Sequence, residues 1–287
     1  MRSNPASEAD SGVNTPEVAA ALRHVAVLAV GPPLELGLRV TLHFHPDRPF
    51  AGRPLLEHLA ADQVYRSQFE TLTSNGGLTA HPGGDRWNWE QRIFGGAYDH
   101  SPPSSRPKYG SLNHRRRQAG GSIRFGSAHL RLAQRTLIRS TFCYPDSVYD
   151  PTAFGDSQHM GLAPLAGADH RDLLDDYIEA HVHGPLHLGR DVEALVLDPA
   201  YRGTRIEAVA ATFPFPTEWH QGFRLHIDEL ARHPNYRGQA IVDAARSSAE
   251  QGWLDARIIG AAIRSGAYDD QTLKRVWHCT ARFGHPA

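Results

Sequence analysis

The stretch DDYIEAHVHG, residues 175 to 184, carries one carboxylate and two imidazoles at alternate positions: Glu179, His181 and His183. In an extended chain, residues two apart point to the same side, so these three groups would share one face. Such a line of polar groups suits three uses: gripping a metal, holding a sugar-bearing substrate, or lining a wet strand face. HFH supplies a second pair of the same spacing, His43 and His45. Two His-x-His pairs together with Asp47 or Glu179 would make a plausible zinc set and so a metal-dependent hydrolase. Against this, 18 histidines in 287 residues make chance pairs of this kind expected.

Other polar residues sit inside probable strands: Arg66 in VYRSQFET, Ser140 and Thr141 in RSTF, and Glu179 in YIEAHVHG. A guanidinium grips a diphosphate bidentately. A strand hydroxyl fixes a ribose or orients a carboxylate, and a carboxylate beside a ribose stabilises positive charge growing at the anomeric carbon. Arg, Ser/Thr and Glu on three successive strands form the layout needed to split a nicotinamide–ribose bond. Ordinary solvent-facing strand residues would show the same spacing. Rival chemistries lack their signatures. There is no Gly-x-Ser-x-Gly elbow, no Walker loop and no Gly-x-Gly-x-x-Gly after a strand. Cys143 lies in an apolar-aromatic run and reads as a buried thiol, Trp87 and Trp89 read as core, and HRRRQAGG (114 to 121) reads as a solvated turn with phosphate contact as its functional alternative.

The bulk numbers fit a soluble globular protein, with 40% apolar residues, 21% charged residues and a net charge of -1. That balance excludes a polycationic nucleic-acid binder as a class, although it leaves local nucleic-acid contact open. Two cysteines form no disulfide framework, so a reducing cytoplasm is the default. The longest apolar run, residues 25 to 38, is broken by Pro32 and Pro33 and is too short for a bilayer. The N-terminal residues show no signal-peptide pattern.

These residues need elements to hold them. Residues 1 to 17 read as a disordered tail, followed by a helix entered at Thr15-Pro16. LRVTLHFHPD and VYRSQFET read as strands around the short helix RPLLEHLAADQ, with SNGG as a turn. GDRWNWEQRIFGGAY has helical spacing ending at Gly95-Gly96. PKYGSLN, SIRFGSAHLRL, RSTFCYPDS, YIEAHVHG and DVEALVLDPAY read as short strands. From about 218 the pattern turns helical, with GQAIVDAARSSAEQGWLDARIIGAAIRSG as one helical stretch. The expectation is one α+β domain over 18 to 287, with a β-core and a helical C-terminal part.

YRSQFETLTSNGGLTAHPGGDRWNWE, FGGAYD, RPKYGSLNHRRR, RFGSAHLRL, RSTFCYPDS, YIEAHVHGPLHLGRDVEALVLDPAYRGT and WHCTARFG together resemble a bacterial family catalogued as DUF3626. The resemblance runs from about residue 40 to the C-terminus. That family is similar to the ADP-ribosyltransferases, including a Legionella effector that modifies glutamate dehydrogenase. The resemblance implies a split β-core of antiparallel strands and NAD as substrate, with no metal. It implies a protein acceptor and either a cytoplasmic role or export as an effector. It also implies an arginine on the first core strand, a Ser-Thr-Ser-like segment on the second and a catalytic glutamate on a later strand. Arg66 matches the first, with Arg86 and Arg106 as rivals. Ser140/Thr141 or Gly126-Ser127-Ala128-His129 matches the second, and Glu179 the third. His181 would hydrogen-bond substrate or acceptor, and Ser127, His129, Arg106 and Tyr109 join Arg66 as candidate cofactor contacts. Arginine-modifying members carry Glu-x-Glu, whereas Tyr177 stands two before Glu179 here. An acceptor other than arginine is therefore expected, with bare NAD hydrolysis as a further outcome.

Overall fold

A computed structural model describes residues 15–72 and 79–287. Most of the expected tail and the SNGG turn lie outside the described residues, but the tail's last two residues, Pro16 and Glu17, already belong to a helix. That helix, α1 (Pro16–Leu28), opens with proline at its first position, where the missing N–H costs nothing. Val18, Ala21 and Val25 recur at helical spacing and are its buried stripe.

The chain then enters β1 (Val40–Phe44), a tight hairpin of β2 (Pro49–Phe50) and β3 (Arg53–Pro54), and α2 (Leu55–Asp62). VYRSQFET is not a strand. Val64 makes a lone bridge to His187, and Gln68–Thr71 forms a single helical turn, α3. The reason is local: Ser67 accepts from the Glu70 N–H while Glu70 Oε2 accepts from the Ser67 N–H, a capping box that starts a helix here. After α4 (Asp85–Ile93) come β4 (Lys108–Leu112), β5 (Ala128–Leu132), β6 (Ser140–Tyr144), β7 (Ala153–Gly155) and α5 (Leu162–Ala168). Then follow β8 (Ile178–Val182), α6 (Leu188–Asp191), β9 (Val192–Leu197), α7 (Arg205–Ala210) and β10 (Thr217–Trp219). The C-terminal part is β11 (Leu225–His226), α8 (Ile227–Leu230), α9 (Gln239–Ser248), β12 (Trp253–Leu254), α10 (Ala256–Ser265) and α11 (Asp270–Phe283). The stretch expected as one helix from Gly238 is two, interrupted where Gly252 takes φ +80° and β12 pairs with β11.

Among the described residues eight strands join in one sheet, in the order β10-β9-β5-β1-β4-β8-β6-β7, antiparallel except for β9 with β10. The fold is therefore α+β, with a mostly antiparallel sheet and flanking helices. The alternation of the sequence becomes two unlike faces. Val40, Leu42, Phe44, Leu112, Leu130, Phe142, Ile178, Ala180, Val182 and Leu195 fall on one side and enter the main core. On the other side the register aligns Thr41, His43, Tyr109, Ser111, His129, Thr141, Cys143, Glu179 and His181. Helix α4 closes part of that polar face: Trp89, Ile93 and Phe94 join Cys143 and Phe154 in a second apolar cluster with Ala21 and Val25 of α1. Among the described residues no helix is long and apolar enough to cross a membrane.

Candidate active site

Glu179 stands in the middle of the polar face, 7% exposed, with Cys143 as its cross-strand partner on β6 and Ser111 on β4. A carboxylate so buried needs partners for both oxygens. Oε2 accepts from the Ser147 hydroxyl at 3.0 Å and the Ser147 N–H at 3.4 Å. Oε1 accepts from His181 Nε2 at 3.1 Å, and Arg86 Nη1 lies 3.7 Å from the same oxygen. Ser147 owes its position to Asp146, whose Oδ1 accepts from the Val148 N–H and caps a short 3-10 turn. Arg86, on the first turn of α4, donates to the Ser147 hydroxyl at 3.1 Å and lies 3.9 Å over the Tyr109 ring.

The electrostatics sort the acids. Burial alone would push the Glu179 carboxyl up, but the His181 hydrogen bond, the Arg86 charge and Ser147 outweigh it and hold the group below its ordinary range. Asp146 moves the other way, to about 6, through burial and the neighbouring Glu179 charge. Glu179 is held ionised, and Asp146 takes up its proton only as the pH falls to about 6. Burial also carries Glu90 up to about 7, although Arg106 Nη1 donates to it at 2.6 Å and the Tyr109 hydroxyl at 2.9 Å. His43 is lowered to about 3 by burial and is neutral.

Behind Glu179 runs a chain of buried hydrogen bonds. With Glu179 ionised, His181 Nε2 donates to it, and Nδ1 accepts from the Thr141 hydroxyl at 3.1 Å. Thr141 Oγ1 in turn accepts from His183 Nε2 at 2.9 Å, and His183 Nδ1 accepts from the Tyr98 hydroxyl at 2.7 Å. His181 and His183 therefore orient the carboxylate and each other.

Two connected depressions lead to this carboxylate. The inner cleft is narrow, roughly 60 Å³, and is lined by Glu179, Arg86, Tyr109, Ser147, Asp146 and His43 among others. The outer groove, roughly 450 Å³, is bordered by Arg48, Phe50, His58, Leu59 and Arg66. Tyr65, Gln68 and Tyr109 line both. Together they fall within the ~300–1,000 Å³ usual for a small-ligand pocket, with nearly all of that space in the outer groove.

The expected site residues divide accordingly. Glu179, His181, Thr141 and Tyr109 come together. Arg66 lies on the outer groove, half exposed, 2.9 Å from Asp62, and off the sheet; the first core strand, β1, carries no arginine. Arg86, named only as a rival, is the arginine beside Glu179. Arg106 is buried, bound to Glu90 and lying 3.8 Å over the Trp87 ring. Ser140 pairs with Val182 on the apolar side and donates to the Thr136 carbonyl at 2.8 Å, so it does not reach Glu179. Adjacent strand residues must face opposite ways, and here Thr141 has the site side. Ser127 contacts His45 and the Tyr201 hydroxyl, both at 3.3 Å, while His129 lies across His43 at the mouth of a separate pocket with Arg131 and Trp219. The two His-x-His pairs do not converge. β4 separates β1 from β8, a gap of roughly 9–10 Å. His43 bonds the Gly126 carbonyl and the Ser122 N–H, and both His183 nitrogens are engaged. Ser147 and Asp146 were not singled out. Their signal is an Asp-Ser cap closing a strand, which marks a turn but not its neighbour across the sheet.

An α+β protein with a sheet polar on one side and an ionised carboxylate at the head of a two-part cleft is thus defined. A family model described as "Protein of unknown function (DUF3626)" matches residues 39–168 and 164–282, from β1 into α11, and the chain belongs to that family. No curated protein matches it.

Proposed function

We propose that the protein is an NAD-dependent ADP-ribosyltransferase with a core of that type, cleaving the nicotinamide–ribose bond and passing ADP-ribose to a protein acceptor. The observation that carries this reading is the buried, ionised Glu179, fixed from one side by Ser147 and from the other by His181, facing a cleft that shares its walls with the outer groove. Such a carboxylate is pre-organised for positive charge developing at the anomeric carbon, where it needs no reorganisation. Glu179 accepts from the ribose 2′-hydroxyl and stabilises the oxocarbenium-like transition state as nicotinamide leaves. Ser147, Thr141 through His181, and Arg86 hold the carboxylate. Tyr109 flanks the ribose, and Arg66, with Arg48, meets the diphosphate along the outer groove. The exposed ion pairs of these two arginines with Asp62 and Asp270 are weak enough to exchange for a phosphate. With Tyr177 donating its hydroxyl to Asp146, the position two before Glu179 has no free carboxylate for an arginine acceptor.

The test is incubation of the purified protein with labelled NAD, with and without cell lysate, reading nicotinamide release and labelled products. Glu179→Gln is expected to keep the fold and bind NAD within about two-fold while release falls at least ~100-fold, the scale of losing one transition-state contact. Undiminished release in that variant discards the assignment.

A further inference from the structure

Cys143, Glu179 and His181 bring a sulfur, a carboxylate oxygen and an imidazole nitrogen within 4.8 Å of one another, all three residues buried. Among the described residues this is the one such group of three. Two of its members are cross-strand partners, Cys143 on β6 and Glu179 on β8, and His181 follows on the same face. His181 Nε2 lies 3.1 Å from Glu179 Oε1 and 4.0 Å from Cys143 Sγ. A tetrahedral zinc ion, ~2.0–2.3 Å from each donor, needs donors roughly 3.2–3.8 Å apart. The observed set is therefore close to that geometry before any ion enters. Thiolate, imidazole and carboxylate are also the donor types zinc takes together, and Thr141 fixes the ring of His181 from behind, as the outer partners of zinc-bound histidines do.

We propose that Cys143, Glu179 and His181 form a reversible Zn²⁺ site at the floor of the inner cleft, and that occupancy switches the protein off by engaging the carboxylate. The site half stands on the geometry alone; the switching half rests on the reading of Glu179 given above. Glu179 lines the cleft, so an ion reaches the site from that side and keeps its fourth position open towards it. The chain behind His181 accommodates the change without losing a member. The proton on His181 Nε2 is replaced by one on Nδ1, Thr141 then accepts from His181 and donates to His183, and His183 donates to the Tyr98 oxygen. The proton count of that chain is unchanged, and the one proton released is that of the Cys143 thiol as the zinc–sulfur bond forms. The Arg86 guanidinium, 3.7 Å from the shared carboxylate oxygen, opposes the ion and makes the site exchangeable rather than permanent.

The experiment titrates the full chain with ZnCl₂ by calorimetry, and with Co²⁺ while watching for the near-ultraviolet thiolate-to-cobalt band. One ion per chain with that band is expected. Cys143→Ala and the milder Cys143→Ser are each expected to abolish the band, weaken zinc binding at least ten-fold, and keep metal-free nicotinamide release within two-fold while removing its inhibition by zinc. An absent band in the wild type, a band that survives in Cys143→Ser and so comes from Cys279, or unchanged zinc affinity in both variants overturns the site. Metal binding through Cys143 in a protein that releases no nicotinamide upholds the site and overturns only the switch. Zinc binding that leaves release unaffected does the same.

Discussion

The inner cleft and the outer groove meet at Tyr65, Gln68 and Tyr109 but are built on opposite terms. Around Glu179 almost nothing is exposed: Arg86 is 2%, His181 0% and Asp146 6% exposed. Each group there is held by a named partner, so a charge removed at one place is felt at the next. Around Arg66 the cations are about half or more than a third exposed, and each meets one carboxylate across solvent-accessible space. Interactions of that kind are worth ~0–1 kcal/mol, and water replaces them readily. The difference teaches a division of labour. The buried end commits Glu179 to one charge state, which is what the proposed bond cleavage demands. The exposed end keeps cations loosely engaged, which suits a ligand that must arrive and leave.

The sharpest way to break this comparison is to remove the cation of the inner cleft. Arg86→Met leaves Glu179 buried beside Asp146 without its guanidinium. Breaking a buried pair from one side costs roughly 3–5 kcal/mol, because the surviving charge is uncompensated. Chemical denaturation at neutral pH is expected to show a loss of that size, and Arg86→Met with Glu179→Gln is expected to recover much of it. If the single variant loses less than about 1 kcal/mol, the inner cleft is no more committed than the outer groove.

Asp146 gives a smaller, pH-dependent contrast. Its pKa is raised to about 6 from an ordinary value of 3.8, so the folded chain holds its proton more tightly than the unfolded one. The stability this contributes is fully present below about 3.8 and is lost as pH rises through about 6. A displacement of that size corresponds to roughly 3 kcal/mol at most. Relative to Asp146→Asn, which has nothing to titrate, the wild type is expected to lose stability by that order between pH 4 and pH 7. Denaturant midpoints at several pH values measure it, and parallel pH curves for the two proteins would refute the opposed displacement of the Asp146 and Glu179 carboxyls.

Much of the sheet was legible because alternation is local. LRVTLHFH, PKYGSLN, RSTFCY and YIEAHVHG each reveal which residues share a face, and Glu179 with His181 followed from that alone. Ser140 and Thr141 had to face opposite ways, but only the pairing of β6 with β8 decides that Thr141 has the site side. Arg66 was misplaced because VYRSQFET has strand-like composition, while the Ser67–Glu70 capping box, a four-residue signal, overrides it. Arg86 and Ser147 were hidden for a different reason. They lie 93 and 32 positions from Glu179 in the chain, and their approach depends on α4 packing over β8 and on the turn after β6, which no local pattern encodes.

The outer groove predicts the smallest effect on stability and the most selective effect on function. Among the described residues Arg66 bonds only Asp62, four residues back, in an exposed i,i+4 pair. Arg66→Ala should therefore change stability by no more than about 0.5 kcal/mol. If its guanidinium meets the diphosphate of NAD in ground state and transition state alike, its loss removes uniform binding. KM for NAD is then expected to rise about ten-fold with kcat nearly unchanged, and the salt dependence of kcat/KM to weaken. Steady-state nicotinamide release at two ionic strengths checks all three quantities together. A fall in kcat equal to that in kcat/KM would move Arg66 into the bond-breaking step and erase the line between the two regions. Unchanged kinetics would leave Arg48, on the same groove, as the cation for the diphosphate.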